Sequence, residues 1–386
     1  MKRLLESIQV LDLSRLIPGG QCTLMLADLG AKVLKIEEPE SGDYMRKINP
    51  LVYETVNRNK QSMTLNLKHP KGREIFLELI PGYDVLLETF RPGVMKRLGL
   101  DFETVHSIHP GMVYCSLSGY GQEGPYSLQS GHDLNYLSMA GFMGLTANRN
   151  EPPVSPPVPV ADLVGGVLAS HAILAALTAR STTGEGCYID AALMDSALFL
   201  TAIRLTVGLA TGKTSREDFK REGAYDIYKT RDHRYLALGV IEDKFWRNLA
   251  RAIEREELAQ EERFATDGSR FLHRKEIKEV LASVLIQRDL RDWLALFEKE
   301  DVPAAPVNYL EEVPVDPQIK TRGLLFDLRS SDGKPSRQVD YPVLFPGQET
   351  VKNQPAPTMG RDTIGVLKDL GYTEDELSAL RGEGVI

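Results

Sequence analysis

The amino-acid sequence predicts an α/β protein with a large parallel-sheet domain and a smaller second domain. In the first third, short apolar strands alternate with helices, and the alternation restarts from about Tyr225, after a proline-rich segment. Strands separated by helices are typical of βαβ units and of a largely parallel sheet. A chain of 386 residues is long enough for two or three domains, or for one large core with a smaller appendage.

Four strands are predicted in the first third, over residues 8–13, 32–37, 84–88 and 112–117. After the first strand, Pro18-Gly19-Gly20 predicts a break, and an apolar helix follows over residues 22–29. Another helix is predicted over residues 71–80, ahead of the third strand.

The middle of the chain has a different character. Residues 151–159 contain five prolines, which predicts an extended connector. Asp162 follows, at the start of a long apolar helix over residues 163–180. Because glycine, serine and histidine interrupt its apolar stretch, we expect a buried core helix and not a membrane span. A helix over residues 363–370 is predicted to pack back on the first domain.

Composition excludes several functions. A net charge of −8 and a pI near 5.6 argue against nucleic-acid binding, although local basic residues could still hold a phosphorylated ligand. Cys22, Cys115 and Cys187 are far apart in sequence and form no CxxC pair. We therefore expect no disulfide framework, no metal site and a cytoplasmic location.

Common catalytic and nucleotide-binding motifs are missing from the sequence. No GxGxxG follows the first strand, and neither HExxH nor GxSxG occurs. Residues 208–214 resemble a phosphate loop but are one residue short between the glycines, so chance helix-end residues explain them better.

His132 is the first candidate catalytic residue. It follows a glycine-rich turn over residues 119–125 and begins the segment Gly131-His132-Asp133-Leu134-Asn135-Tyr136. Imidazole is the side chain whose ordinary pKa suits proton exchange near neutrality. Alternatively, His132 simply caps a helix.

Asp162 and Glu242 are the candidate carboxylates. An aspartate before an apolar helix is usually an N-cap, and the helix start would lower its pKa, which suits a base or a nucleophile. Glu242 follows an apolar strand and precedes Phe245 and Trp246, although an ordinary helix-start acid would look the same. Arg58, Lys60, Lys68 and Arg91 are solvated surface residues, or they converge on phosphates.

In order along the chain, these segments resemble the superfamily of α-methylacyl-CoA racemases and family III CoA-transferases. The similarity runs over essentially the whole chain and includes residues 26–33, 57–62, 90–93, 119–121, 302–307 and 360–362. It implies a large Rossmann-like α/β domain that binds CoA, formed by residues 1–215 and 325–386. It further implies a small α+β domain over residues 225–320 and an interlocked homodimer.

The resemblance also implies a binding site for an acyl-CoA thioester, with no separate cofactor because CoA is part of the substrate. Residues matched to CoA contacts are Lys60, Lys68, Phe90, Arg91 and Arg97, and Arg58 belongs to the same basic set. Family members often have arginine where this chain has Glu38, so one adenine or phosphate contact must differ.

The two branches of the superfamily share the aspartate and differ elsewhere. The segments containing His132, Tyr136, Tyr225 and Glu242 fit the racemase pattern, and no glycine run typical of the transferases occurs near residues 240–265. We therefore expect epimerisation of a 2-methylacyl-CoA at its α-carbon. His132 and Asp162 would exchange the proton, and Glu242 would orient the imidazole. Backbone N–H groups near the start of the helix over residues 163–180 would hold the thioester oxygen.

Two alternatives remain open. In a CoA-transferase, Asp162 would attack the thioester and form an acyl anhydride, and the CoA would pass to another carboxylic acid. A CoA-binding scaffold without catalysis is the third possibility.

Overall fold

The computed structural model describes residues 3–148, 150–330, 333–347, 351 and 353–386. Its internal contacts divide the chain into two compact units. Unit 1 consists of Met1–Ser215 and Gly323–Ile386, and unit 2 of Arg216–Arg322.

The described residues contain strands at both ends of the chain and in its middle. They are β1 (Gln9–Leu13), β2 (Lys32–Glu37), β3 (Lys60–Thr64), β4 (Val85–Glu88), β5 (Val113–Ser118), β6 (Tyr188–Ala192), β7 (Ile227–Lys229), β8 (Tyr235–Leu238), β9 (Ala304–Pro306), β10 (Leu325–Arg329) and β11 (Pro335–Val339).

Helices separate most of these strands. They are α1 (Leu16–Asp28), α2 (Met45–Ile48), α3 (Pro50–Asn57), α4 (Pro70–Leu79), α5 (Val94–Leu98), α6 (Phe102–Ile108), α7 (Asp133–Met139), α8 (Val160–Thr183), α9 (Leu193–Thr211), α10 (Arg216–Phe219), α11 (Asp243–Ala252), α12 (Glu257–Gln260), α13 (Asp267–Leu272), α14 (Arg274–Leu285), α15 (Leu290–Lys299), α16 (Pro317–Arg322), α17 (Thr363–Asp369) and α18 (Glu374–Gly382).

The central sheet of unit 1 has six parallel strands in the order β3-β2-β1-β4-β5-β6. This confirms the predicted α/β class and parallel sheet, and the four predicted strands are present as β1, β2, β4 and β5. The chain leaves β1 toward β2 on one side and reaches β4 on the other. Between β1 and β4 the strand order therefore reverses, and ligands of such sheets bind outside the carboxyl ends of the strands at this point.

The predicted break after β1 is wrong, because Pro18, Gly19 and Gly20 lie inside the first turns of α1. Proline is tolerated in the first turn of a helix, where its missing N–H would have no partner in any case.

Apolar layers cover both faces of the sheet. On one face, residues of α1, α7, α8 and α9 pack with the strands. The C-terminal helices contribute to the other face, where Leu367, Leu377 and Leu380 join the same buried cluster as Leu34 and Met63. The C-terminal segment therefore packs on the sheet.

Helix α8 packs closely against α1 through a glycine. A Cβ added at Gly166 would lie 2.6 Å from the carbonyl oxygen of Pro18, which is too close for any side chain. This contact explains why a long helix carries glycines in its interior, although each costs about 1 kcal/mol relative to alanine.

Only part of the apolar surface of α8 and α9 is buried. Both helices are long and apolar enough to cross a membrane by length and composition, as core helices of soluble proteins also are. In the structure, 33% of the most apolar window of α8 and 28% of that of α9 is buried. The expected burial of α8 is thus found on one face, and the absence of membrane association stays a prediction.

Unit 2 is a small α+β structure. Its strands form an antiparallel sheet in the order β7-β8-β9. The fully buried side chains of Trp246 and Trp293 lie in its apolar core, together with Leu236, Leu281 and Phe297.

Candidate active site

Asp162 lies in the first turn of α8, directly after the proline-rich connector. It is the third helical residue and not the predicted N-cap, because the helix already begins at Val160 and Pro159 precedes it. Proline has no hydroxyl or carboxylate with which to cap a helix, so the free N–H groups of this first turn need partners from elsewhere in the fold.

Asp133, the first residue of α7, supplies that partner. Its Oδ1 accepts hydrogen bonds from the backbone N–H of Ala161, at 2.6 Å, and of Asp162, at 3.2 Å. The start of α7 is therefore tied to the start of α8. The N–H groups of Ala161 and Asp162 thus donate to a carboxylate in this structure, and the binding of a thioester oxygen by N–H groups near the start of this helix stays a prediction.

The surroundings of Asp162 raise its pKa, contrary to the predicted lowering. Burial disfavours the charged form and the neighbouring Asp133 carboxylate adds repulsion, which together raise the pKa of Asp162 to about 7. The helix N-terminus favours the charged form by roughly 0.3–1 kcal/mol at a surface site. Burial and the repulsion from Asp133 outweigh this effect. Near neutral pH, Asp162 is therefore present in both the charged and the neutral form.

His132 immediately precedes α7 and so lies next to Asp133 in the chain. Its side chain is exposed, and its backbone N–H donates to Oδ1 of Asn135 at 3.0 Å. His132 is thus the N-cap residue of α7, as in the alternative prediction, and the Asn135 side chain completes the cap.

Tyr136 holds the segment before α7 in place through a hydrogen bond and ring packing. Its hydroxyl donates to the carbonyl oxygen of Gly131 at 2.6 Å, and its buried ring meets Tyr120 edge-on at a centroid distance of 5.1 Å. A Cβ at Gly119 would lie 2.5 Å from the Tyr136 hydroxyl, so the glycine-rich turn fits around this ring. Burial, with smaller contributions from Tyr120 and Asp162, raises the pKa of Tyr136 to about 12.

A cavity of about 300 Å³ opens at the carboxyl ends of β1, β2, β3 and β4. Two predicted residues, Lys68 and Phe90, line it. Arg91 and Arg97 are exposed on the neighbouring segment that leads into and through α5. The cavity therefore brings together part of the predicted CoA-binding set, at the place where the strand order reverses.

Arg15 and Glu38 also line this cavity, and sequence reasoning did not find Arg15. Arg15 follows the end of β1 by two residues, and a position just past the first strand of a βαβ unit is the signal that points to it.

Arg58 and Lys60 are buried in internal ion pairs. The Lys60 ammonium donates to Asp12 Oδ2 at 3.2 Å, to the Gly20 carbonyl oxygen at 3.1 Å and to Asn57 Oδ1 at 2.9 Å, which satisfies its three protons. Arg58 pairs with Asp28. Both hold the fold in this structure, and their predicted contacts with CoA phosphates would require these pairs to open.

Glu242 and Tyr225 belong to unit 2. Both side chains are exposed, and Glu242 is the residue before α11, as an ordinary helix-start acid would be. The predicted action of Glu242 on the His132 ring stays a prediction.

Comparison with known proteins gives matches over nearly the whole chain. The model of CoA-transferase family III matches residues 5–363. A succinate–glutarate CoA-transferase of Agrobacterium fabrum is 32% identical over 386 residues, which cover 96% of each chain. Human alpha-methylacyl-CoA racemase is 30% identical over 387 residues, which cover 99% of this chain and 97% of the racemase.

The fold agrees with solved structures. A CAIB/BAIF family protein from Brucella suis superposes with a TM-score of 0.80 at 31% identity, over 94% of this chain and 98% of that one. The fold is therefore shared with a protein of similar sequence.

Proposed function

The chain belongs to CoA-transferase family III, and we propose that it transfers CoA from a donor acyl-CoA to a second carboxylic acid through Asp162. The partly buried carboxylate of Asp162, beside Asp133 at the junction of α7 and α8, carries the proposal. A succinate–glutarate transferase among the relatives favours short dicarboxylic acids as donor and acceptor. This order differs from the sequence-based expectation, in which the racemase came first and the transferase second.

The reaction is a chain of acyl transfers. An Asp162 oxygen attacks the thioester carbonyl of the donor, the C–S bond breaks, and a mixed anhydride and the CoA thiolate result. The thiolate then attacks the Asp162 carbonyl carbon, so that the donor acid leaves and an aspartyl-CoA thioester remains. The acceptor carboxylate and the released thiolate repeat the two steps in reverse, which yields the new acyl-CoA and restores Asp162.

During the reaction, Asp162 alternates between the charged carboxylate and two neutral forms, the anhydride and the thioester. Its environment suits this alternation. Burial raises the pKa of Asp162 to about 7, so the site disfavours the carboxylate relative to neutral forms of the same side chain. The anhydride and the thioester are both neutral at this carbon. The destabilised carboxylate is therefore the reactive form, and acylation relieves the cost of its burial.

The test is transfer from succinyl-CoA to glutarate, followed as glutaryl-CoA by mass spectrometry. Asp162→Asn should lower the rate by at least about 10³-fold, because the nucleophile is lost. Asp195→Asn is the matched control, since Asp195 is likewise the third residue of its helix, α9, and should keep nearly full activity. Full activity in the Asp162 variant would refute the proposal.

Racemisation is the second candidate, and the exposed His132 beside Asp133 is the observation that favours it. In deuterated water, a racemase would introduce deuterium at the α-carbon of a 2-methylacyl-CoA, and His132→Ala would abolish the exchange. We expect His132→Ala to retain CoA transfer within about tenfold, with exposed His171 as the control position. Deuterium exchange at the α-carbon without CoA transfer would show that the chain is a racemase and not a transferase.

The chain is further proposed to act as a homodimer in the cytoplasm. Helix α9 exposes large apolar side chains, among them Phe199, Ile203 and Leu209, at 67%, 77% and 78% of their surface. A second copy of the chain would remove this surface from water. Light scattering after gel filtration should give twice the mass of one chain, and a monomer would contradict it.

A further inference from the structure

The cavity at the carboxyl ends of the strands has apolar walls and a charged rim. Its walls include Leu13, Ile36, Leu65, Leu67, Val94 and Leu98. Its volume of about 300 Å³ is at the lower end of the range of small-molecule sites and fits a flat base better than a whole CoA molecule. The apolar walls suit the adenine ring, and the charges at the rim then face the ribose and its phosphates.

Arg15 is held in place at this rim. Its guanidinium carbon lies 4.8 Å from the ring centroid of Tyr44 and 5.5 Å from that of Phe90, and Nη1 donates to the Tyr44 hydroxyl at 2.6 Å. A guanidinium stacked in this way keeps other N–H donors for an anion. Lys68, which is exposed and lines the same cavity, adds a second cation.

Two glutamates follow each other at the end of β2, and only one has its charge balanced inside the fold. Glu37 is buried, with Oε1 2.7 Å from Arg46 Nη2 and Oε2 2.8 Å from Arg46 Nε, and it accepts the Ser62 hydroxyl at 2.6 Å. It therefore serves the fold.

Glu38 is partly exposed and lines the cavity. Its Oε2 accepts the backbone N–H of Ser41 at 3.2 Å and the Ser41 hydroxyl, and neither bond uses Oε1. The Ser41 hydroxyl, and to a smaller extent Lys68 and Arg15, hold the pKa of Glu38 below its usual range. Glu38 thus stays ionised at neutral pH and partly offsets the two cations that an incoming phosphate would meet.

In nucleotide-binding sheets of this strand order, an acid just past the second strand favours a free ribose hydroxyl, whereas an arginine there accommodates a ribose phosphate. We propose that Glu38 sets the nucleotide specificity of this site by weakening recognition of the 3′-phosphate of CoA. The chain then binds CoA and 3′-dephospho-CoA with similar affinity. The inference rests on the proposed function only in taking CoA as the ligand.

Calorimetric titration of the full chain with CoA and with 3′-dephospho-CoA tests this without relying on catalysis. The wild type should bind the two nucleotides within about threefold of each other. Glu38→Gln should tighten CoA binding by about five- to tenfold, because one like charge is removed near the phosphate, and should leave 3′-dephospho-CoA unchanged.

Glu40→Gln is the matched control, since Glu40 is exposed two residues away, carries the same charge and does not line the cavity. It should change neither affinity. A wild-type preference for CoA above about 30-fold, or an equal effect of Glu38→Gln on both nucleotides, would overturn the specificity proposal while leaving CoA transfer intact. If neither nucleotide binds, both proposals fail.

Discussion

Asp12 is a fully buried and Asp162 a partly buried carboxylate of unit 1, and their surroundings shift their pKa values in opposite directions. Asp12 is completely buried, yet Lys60 Nζ lies 3.2 Å from Oδ2 and Lys35 Nζ 4.0 Å from Oδ1. Burial alone would raise the pKa of Asp12, but these two lysines hold it well below its usual range. Asp162 has an acidic neighbour, Asp133, and its pKa rises. A buried carboxylate with cations holds a fold, whereas one left without them is ready to react.

The largest effect is expected at Asp12. Asp12→Asn leaves the buried Lys60 without the carboxylate 3.2 Å from its Nζ, whereas Lys35 keeps Asp43 at 3.0 Å. Breaking a buried pair by removing one partner costs about 3–5 kcal/mol. The free energy of unfolding, measured in urea, should fall by that amount. The control is Asp327→Asn, which removes an exposed ion pair with Arg337 and should lower the free energy of unfolding far less. Equal losses of unfolding free energy in the two variants would show that the buried Asp12 pair contributes no more than an exposed ion pair.

At Asp162 we expect the opposite effect on stability, because replacing this carboxylate should raise the free energy of unfolding. Its pKa of about 7 in the folded chain lies above the ordinary 3.8, so stability present at low pH is lost as the pH rises through 7. Asp162→Asn, which stays neutral, should therefore be more stable than the wild type at pH 8, by about 1–3 kcal/mol. The difference should vanish near pH 4. Thermal or urea unfolding at both pH values tests it, and a variant less stable than the wild type at pH 8 would contradict the assigned environment.

A smaller effect is expected in the pH dependence of catalysis. Transfer requires ionised Asp162, so kcat/KM for the donor, which reports the pKa of the unliganded enzyme, should rise with pH through about 7. Burial also raises the pKa of Glu88 to about 7, although Ser116 and the Phe90 N–H partly oppose the rise. Glu88→Gln therefore serves as the control, and the acid limb of the rate profile should persist in it. Loss of the limb in this variant would assign the titration to Glu88.

The sequence predicts the strands that are apolar, and it does not reveal those that are not. The inner strands β1 and β4 are runs of buried apolar residues, and the sequence predicts both. The edge strands β3 and β6 were missed, because an edge strand has one neighbour and needs fewer apolar residues to be stable. Their sequences, KQSMT and YIDAA, have no strong alternation to reveal them.

The site was predictable in its residues more than in its electrostatics. Asp162 stands out because it follows a proline run and begins an apolar helix, and both features are local in sequence. The direction of its pKa was predicted wrongly, since Asp133, 29 residues earlier, reaches it only through the packing of α7 on α8. Arg15 was missed for a related reason: it becomes a rim residue only when β1 and β4 are neighbours.

The smallest effect is expected from changing Asp133, the acidic neighbour that Asp162 has and Asp12 lacks. Asp133→Asn keeps an oxygen acceptor for the N–H groups of Ala161 and Asp162 but removes the negative charge. The pKa of Asp162 should fall, and the acid limb of the kcat/KM profile should move to lower pH by about half a pH unit to one unit. Asp133→Ala should move the limb similarly and also lose about 1 kcal/mol of stability, because the start of α8 loses its cap. A limb that stays in place in both variants would leave burial as the sole cause of the raised pKa.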